Sequence, residues 1–199
     1  MKLEDYKIVF VAVGLVGVLL FASPTLGLVL HLPGGEKFSE LWVLGPGHMA
    51  EDYPFNVSAG HTYTAFLGVA NHMSDAVYYM VYVKLRNESE ALPNATLGVA
   101  SPLPALYTYR VFLTDNGTWE GTLSFSFGAV SVGVKGATIG VVSFNGVVSQ
   151  VNKMLTWDES RTGCYFQVFA ELWMYYRASD SFAYSNRFVG LWMNVTVGF

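Results

Sequence analysis

The 199-residue chain has little charge, one cysteine and four histidines. Only 13% of residues are charged, against roughly 25% in an ordinary soluble domain. Hydrophobic residues make up 52%, which excludes intrinsic disorder, since that needs low hydrophobicity and high net charge. The lone Cys164 excludes an intramolecular disulfide framework and any multi-cysteine metal site. Flanked by Gly163 and Tyr165-Phe166, it reads as a small buried hydrophobe rather than a reactive thiol. With 11 basic against 15 acidic residues the net charge is −4. No basic patch is left to neutralise phosphates, so nucleic acid is not an expected partner. The 20 glycines and 7 prolines follow no period, which excludes collagen-like and low-complexity chains.

Chemistry-bearing motifs are also scarce. His48, Glu51 and Asp52 lie close together, but their spacing fits no zinc pattern, and Glu51-Asp52 belongs to no EF-hand loop. These three read as polar turn residues. Asp158 and Glu159 are adjacent, so on a strand they point to opposite faces and make a poor glycosidase pair. There is no G-x-S-x-G and no phosphate loop. No catalytic residue, cofactor ligand or metal ligand is therefore expected, and an enzyme is the least favoured class.

The strongest positive feature is the run from Ile8 to Leu30, which carries no charge. As a helix rising ~1.5 Å per residue it would extend about 34 Å, enough for a ~30 Å hydrocarbon core. Lys2 and Lys7 precede it, and only Lys37 follows before Lys84 and Arg86. Basic flanks stay inside, so the amino terminus is expected in the cytoplasm and the bulk of the chain outside the plasma membrane. This divides the chain into residues 1–32, a single-pass anchor, and 33–199, an extracytoplasmic domain. A cleaved signal peptide is the rival reading, but Ala22-Ser23-Pro24 is a poor cleavage site and the apolar run continues past it.

Five sites fit the N-glycosylation sequon: Asn56, Asn87, Asn94, Asn116 and Asn194. All lie beyond the apolar run. Nine asparagines and 27 serines plus threonines would give about one by chance. The excess points to N-linked glycans on an outward-facing surface.

The outer domain reads as mainly β. Candidate strands are Phe38–Leu44, Thr62–Asn71, Val77–Arg86, Tyr107–Leu113, Thr118–Phe127, Val130–Val134, Thr138–Val142, Tyr165–Tyr176 and the run from Val189 to Val197. In Val77–Arg86, Tyr79, Val81, Val83 and Leu85 face one way, and Lys84 and Arg86 the other. Asp115-Asn116-Gly117 marks a hairpin turn. Asn87–Leu106, with Pro93, Pro102 and Pro104, reads as a long surface loop. Val147, Val148, Val151, Met154 and Leu155 recur at helical spacing and predict one short helix. Short strands at this spacing suggest an antiparallel β-sandwich, immunoglobulin-like in the broad sense but without a buried cysteine pair.

The segment Gly35–Val57 reads GEKFSELWVLGPGHMAEDYPFNV, Tyr165–Trp173 reads YFQVFAELW and Asn186–Thr196 reads NRFVGLWMNVT. Together they resemble an archaeal membrane-anchored family known only as a domain of unknown function. The resemblance implies a surface-facing β domain and carries over no catalytic residue. The expected role is a non-catalytic accessory subunit of a membrane protein complex, for example a glycosylation (oligosaccharyltransferase) or translocation assembly. A structural or adhesive envelope or filament glycoprotein is the alternative.

Overall fold

The computed structural model describes residues 6–29, 36–133 and 135–195, leaving aside the side chains of 20 and 22–29. The chain divides into two units, Met1–Lys37 and Phe38–Phe199.

The first unit holds one helix, α1 (Lys7–Val29). It lies over the uncharged run, except Leu30, which is outside the described residues. Ile8, Val9, Phe10 and Val11 are all more than half exposed. Four successive helical residues point in all directions around the axis, so this part of α1 is apolar on every side. Among the described residues, no helix is long and apolar enough to cross a membrane.

The second unit is mainly β, a curled ten-stranded sheet. Its strands are β1 (Phe38–Leu44), β2 (Asn56–Val57), β3 (Thr62–His72), β4 (Val77–Asn87), β5 (Tyr107–Leu113), β6 (Thr118–Gly133), β7 (Gly136–Phe144), β8 (Val147–Asp158), β9 (Gly163–Tyr176) and β10 (Ser181–Val195). One face is ordered β1-β3-β6-β7-β8 and the other β5-β4-β9-β10-β2. All pairs are antiparallel except β10 with β2. The two faces join through β8 and β9, where only Trp157↔Cys164 and Asp158↔Gly163 are paired. A single apolar core draws on both, with Leu67, Leu123, Phe125 and Phe144 from the first and Tyr79, Phe166, Leu172 and Met193 from the second. Period-two alternation supplies these residues: Ala65, Leu67 and Val69 on β3, and Tyr79, Val81, Val83 and Leu85 on β4, all point inward.

The short helix expected over Val147–Leu155 is instead strand β8. Its register on β7 runs from Phe144↔Val147 to Gly136↔Thr156 and slips between Ile139 and Val141. There Val151 and Asn152, the latter at φ 44°, stand opposite the single Gly140. The more covered positions still alternate as Ser149, Val151, Lys153 and Leu155. Val147, Val148 and Met154, which completed the helical spacing, are exposed. The expected separate strands Thr118–Phe127 and Val130–Val134 are one strand, β6, bent at Ala129 with φ 49°; Val134 lies outside the described residues. The strands are accordingly longer than anticipated. β10 begins at Ser181, well before Val189, and carries its own irregularity between Tyr184 and Arg187. Val197 is outside the described residues.

Candidate functional site

The polar groups that come together in the second unit do so on the outer face of β4 and β9, beneath the segment from Glu88 to Leu106. Lys84 and Arg86 do point away from the core, as alternation requires. They do not face water, being 4% and 6% exposed. The connection between β4 and β5 folds back as a strap over them, tied internally by the Asn94↔Val99 bridge. β9 is consequently buried on both faces, with Tyr165, Gln167, Phe169 and Glu171 under cover on the side away from the core.

Glu171 is fully buried. Its Oε2 accepts from Lys84 Nζ at 2.8 Å and from Trp173 Nε1 at 3.0 Å, and its Oε1 accepts from the Ser101 amide at 2.7 Å. Lys84 Nζ also donates to the Ser101 carbonyl at 2.8 Å. Burying a carboxylate is tolerable only with such pairing. The same saturation makes Glu171 a fastener between strap and sheet rather than an acid or base. Arg86 completes the layer. It donates to Gln167 Oε1 at 3.0 Å and to the carbonyls of Glu88 and Glu90 at 2.7 and 2.8 Å. Its guanidinium lies 5.2 Å from the Trp192 ring centre, a cation–π distance. Burial pulls the Arg86 pKa down, opposed by the nearby Glu90 and Glu88 carboxylates. Trp192, on the outer face of β10, is 38% exposed.

The near end of the strap is also pinned to β8. Lys153 Nζ reaches Glu90 Oε1 at 2.6 Å. Arg161 bridges Glu88 and Asp158, its guanidinium 4.3 Å from the Tyr165 ring centre. Hydrogen bonds from the Ser160 hydroxyl and from the Arg161 amide and side chain hold the Asp158 carboxyl well below the usual carboxylate range. Sequence reading missed this network. Its signal was the opposition of Lys84-Leu85-Arg86 to Glu88-Ser89-Glu90 across the end of one strand.

The acidic and histidine residues weighed in the sequence do not converge. His48 Nδ1 sits 2.5 Å from Glu120 Oε1, with its ring stacked on Phe66 at 3.7 Å. Glu51 and Asp52 take no part in that pair. Among the described residues no three His, Cys, Asp or Glu side chains group as a metal site. Cys164 is buried, and burial raises its thiol pKa. A cleft of about 550 Å³ opens where β4 starts and β5 and β9 end, lined by Tyr78, Phe112, Met174, Tyr176 and Arg177.

Of the five sequon asparagines, Asn56, Asn94 and Asn116 are exposed, and Asn87 and Asn194 are half-buried. Asn116 caps the β5–β6 turn at φ 58°. Asn56 and Asn194 are paired neighbours on β2 and β10.

No curated protein matches the chain. Among solved structures, a CARDB domain from Pyrococcus furiosus in complex with di-metal ions is 9% identical at a TM-score of 0.42, covering 83% of this chain and 94% of that one. A β-glucosidase from Listeria innocua in complex with glucose is 11% identical at 0.42, and 80% of this chain spans only 16% of it. The human seminal-plasma complex of zinc 2-glycoprotein with prolactin-inducible protein gives 12% and 0.37, covering 83% and 99%. Scores this low carry no argument about function. The sequence match is firmer. It runs over residues 32–135, just over half of the chain, and so takes in Gly35–Val57 but neither of the two carboxy-terminal motifs. The chain belongs to the DUF1616 family, a domain of unknown function.

Proposed function

We propose that the protein is a membrane-anchored, non-catalytic accessory subunit of a membrane protein complex, such as a glycosylation or translocation assembly. The observation that carries this reading is that the described part of α1 is apolar on every side. A helix that is apolar all round belongs inside protein or inside lipid. The span itself is read from the sequence, since the uncharged run Ile8–Leu30 includes side chains outside the described set. In this reading Lys2 and Lys7 keep the amino terminus in the cytoplasm. The β unit lies outside the plasma membrane as an antiparallel sandwich, immunoglobulin-like in the broad sense, with N-linked glycans on its surface. Its most elaborate polar cluster is consumed in fastening a strap, which suits a binding module better than an enzyme.

Extraction of native membranes in mild detergent tests the proposal. Co-elution with a multi-spanning partner at fixed stoichiometry is expected. Elution alone at native abundance would count against an accessory role.

A further inference from the structure

We propose that the five sequons divide by structure. Asn56, Asn94 and Asn116 accept glycans, whereas Asn87 and Asn194 are structural carboxamides that stay bare. The inference rests on the outward-facing reading above and adds to it which side chains are modified.

The transfer joins the anomeric carbon of a lipid-linked sugar phosphate to Asn Nδ2. The new C–N bond replaces the C–O bond to phosphate, the phosphate-bearing lipid leaves, and Nδ2 gives up one of its two protons. An acceptor therefore needs an Nδ2 that reaches solvent and can exchange a hydrogen for a bulky ring. Asn94 sits exposed on the strap, its Oδ1 accepting from the Leu97 amide at 2.9 Å. Asn56 is exposed on the edge strand β2 and contributes only its oxygen to Asn194. Asn116 projects, exposed, from a turn; its Oδ1 lies 3.1 Å from His72 Nδ1 at the surface, and its Nδ2 donates to the adjacent exposed Asp115 at 3.1 Å. The remaining N–H on a glycosylated Asn116 can keep that bond.

Asn87 and Asn194, unlike the other three, are half-buried, and their carboxamides are packed between separate elements. Asn87 Nδ2 donates to the Met154 carbonyl of β8 at 3.0 Å. Its Oδ1 accepts from the amides of Ser89 and Glu90 at 3.1 and 3.0 Å and from Ser89 Oγ at 2.9 Å. That last bond occupies the hydroxyl of the sequon itself. Asn194 Nδ2 donates to Asn56 Oδ1 at 3.2 Å, and its Oδ1 accepts from the Cys164 amide at 3.1 Å. Its Cγ lies 2.9 Å from where a Cβ on Gly163 would stand, so the amide is wedged against β9. A sugar on Asn87 would intrude where β8 docks, and one on Asn194 would intrude between β2 and β10.

Full-length protein purified from its own membranes, analysed by glycopeptide mass spectrometry, tests the division. Sugar on the Asn56, Asn94 and Asn116 peptides alone is expected. The variants N56Q, N94Q and N116Q should each lose one glycan mass. N87Q and N194Q should lose no mass and melt lower. Sugar on Asn87 or Asn194 overturns the division. Protease access to the β unit in sealed vesicles reads sidedness independently of sugar. A β unit that is accessible from outside but bare at all five sequons overturns this inference alone. A β unit protected inside overturns the outward-facing reading beneath it.

Discussion

Tyr184 is the residue most at odds with its surroundings. Its hydroxyl is buried without a hydrogen-bond partner among the described residues, and a buried unsatisfied group costs stability. Tyr184→Phe should therefore stabilise the domain by about 1 kcal/mol in thermal melts; a lower melting temperature would show that the hydroxyl is used. Burial pushes the pKa of both Tyr184 and Tyr109 up to about 12. A phenol whose folded pKa is raised contributes stability that is complete below its ordinary value near 10. That contribution is lost as pH climbs through the folded value. Melting temperature should thus fall between about pH 10 and 12. The fall should be shallower in Tyr184→Phe, with tyrosinate absorbance rising only in step with unfolding. At the other extreme, the lowered Asp158 carboxyl implies a contribution present at neutral pH and lost on acidification below its ordinary range. The turn after β1 runs through Gly45-Pro46-Gly47, and His48 takes the positive φ there, at 58°. Gly45 is needed for space, because a Cβ there would stand 1.9 Å from the Glu51 carbonyl oxygen. Gly45→Ala should cost about 1–3 kcal/mol by chemical denaturation.

The strap is the element whose character depends most on tertiary context. Its position was legible, since three prolines and no alternation mark a connection without strands. Its role was not, because alternation tells which face a side chain takes and not whether something later covers that face. Lys84 and Arg86 were placed on the correct side of β4, but nothing in the alternation showed the cover that buries them. The same limit explains β8, where the exposed Val147, Val148 and Met154 complete a spacing that passes for a helix. Breaking the fastener from one side should be severe. Lys84→Ala strands the Glu171 charge in the interior and is expected to cost about 3–5 kcal/mol. Replacing both partners with apolar residues, Lys84→Met with Glu171→Leu, should cost clearly less. A double-mutant cycle by urea denaturation measures the difference, and equal losses in the single and double variants would refute the coupling. Proteolysis should cut first between Glu88 and Leu106 in the single variant.

Across the whole molecule, the family match and the folding unit have different extents. The matched residues end at 135, within reach of β7, while β4 pairs along its length with β9. A fragment ending at residue 135 would leave β4 without that partner and expose Tyr79, Val81 and Val83. Such a fragment should show no cooperative melt, whereas the β unit from residue 36 onward should; a cooperative transition in the shorter piece would refute the dependence on β9. The strand-rich character, the core faces and the turn at Asp115-Asn116-Gly117 could be read locally, because they follow from period two and turn residues; the hairpin expected there is not formed, since the turn passes the chain from one face to the other and β5 pairs with β4 while β6 pairs with β3 and β7. The pairing of β4 with β9 could not, because nothing within either strand encodes a partner so far along the chain.

That distance also has a meaning in time. From β7 to β10 each strand pairs with the one before it, so this half can close as it emerges. β4, however, is complete at Asn87 and meets β9 only from Gly163 onward, which at ordinary synthesis rates is a wait of about 4–15 seconds. Through that interval a strand of valines and tyrosines has only β5 beside it. Lys84 and Arg86, silent once the strap closes, are then open charges on a waiting strand, the kind of residue that keeps such a segment from pairing with a neighbouring chain.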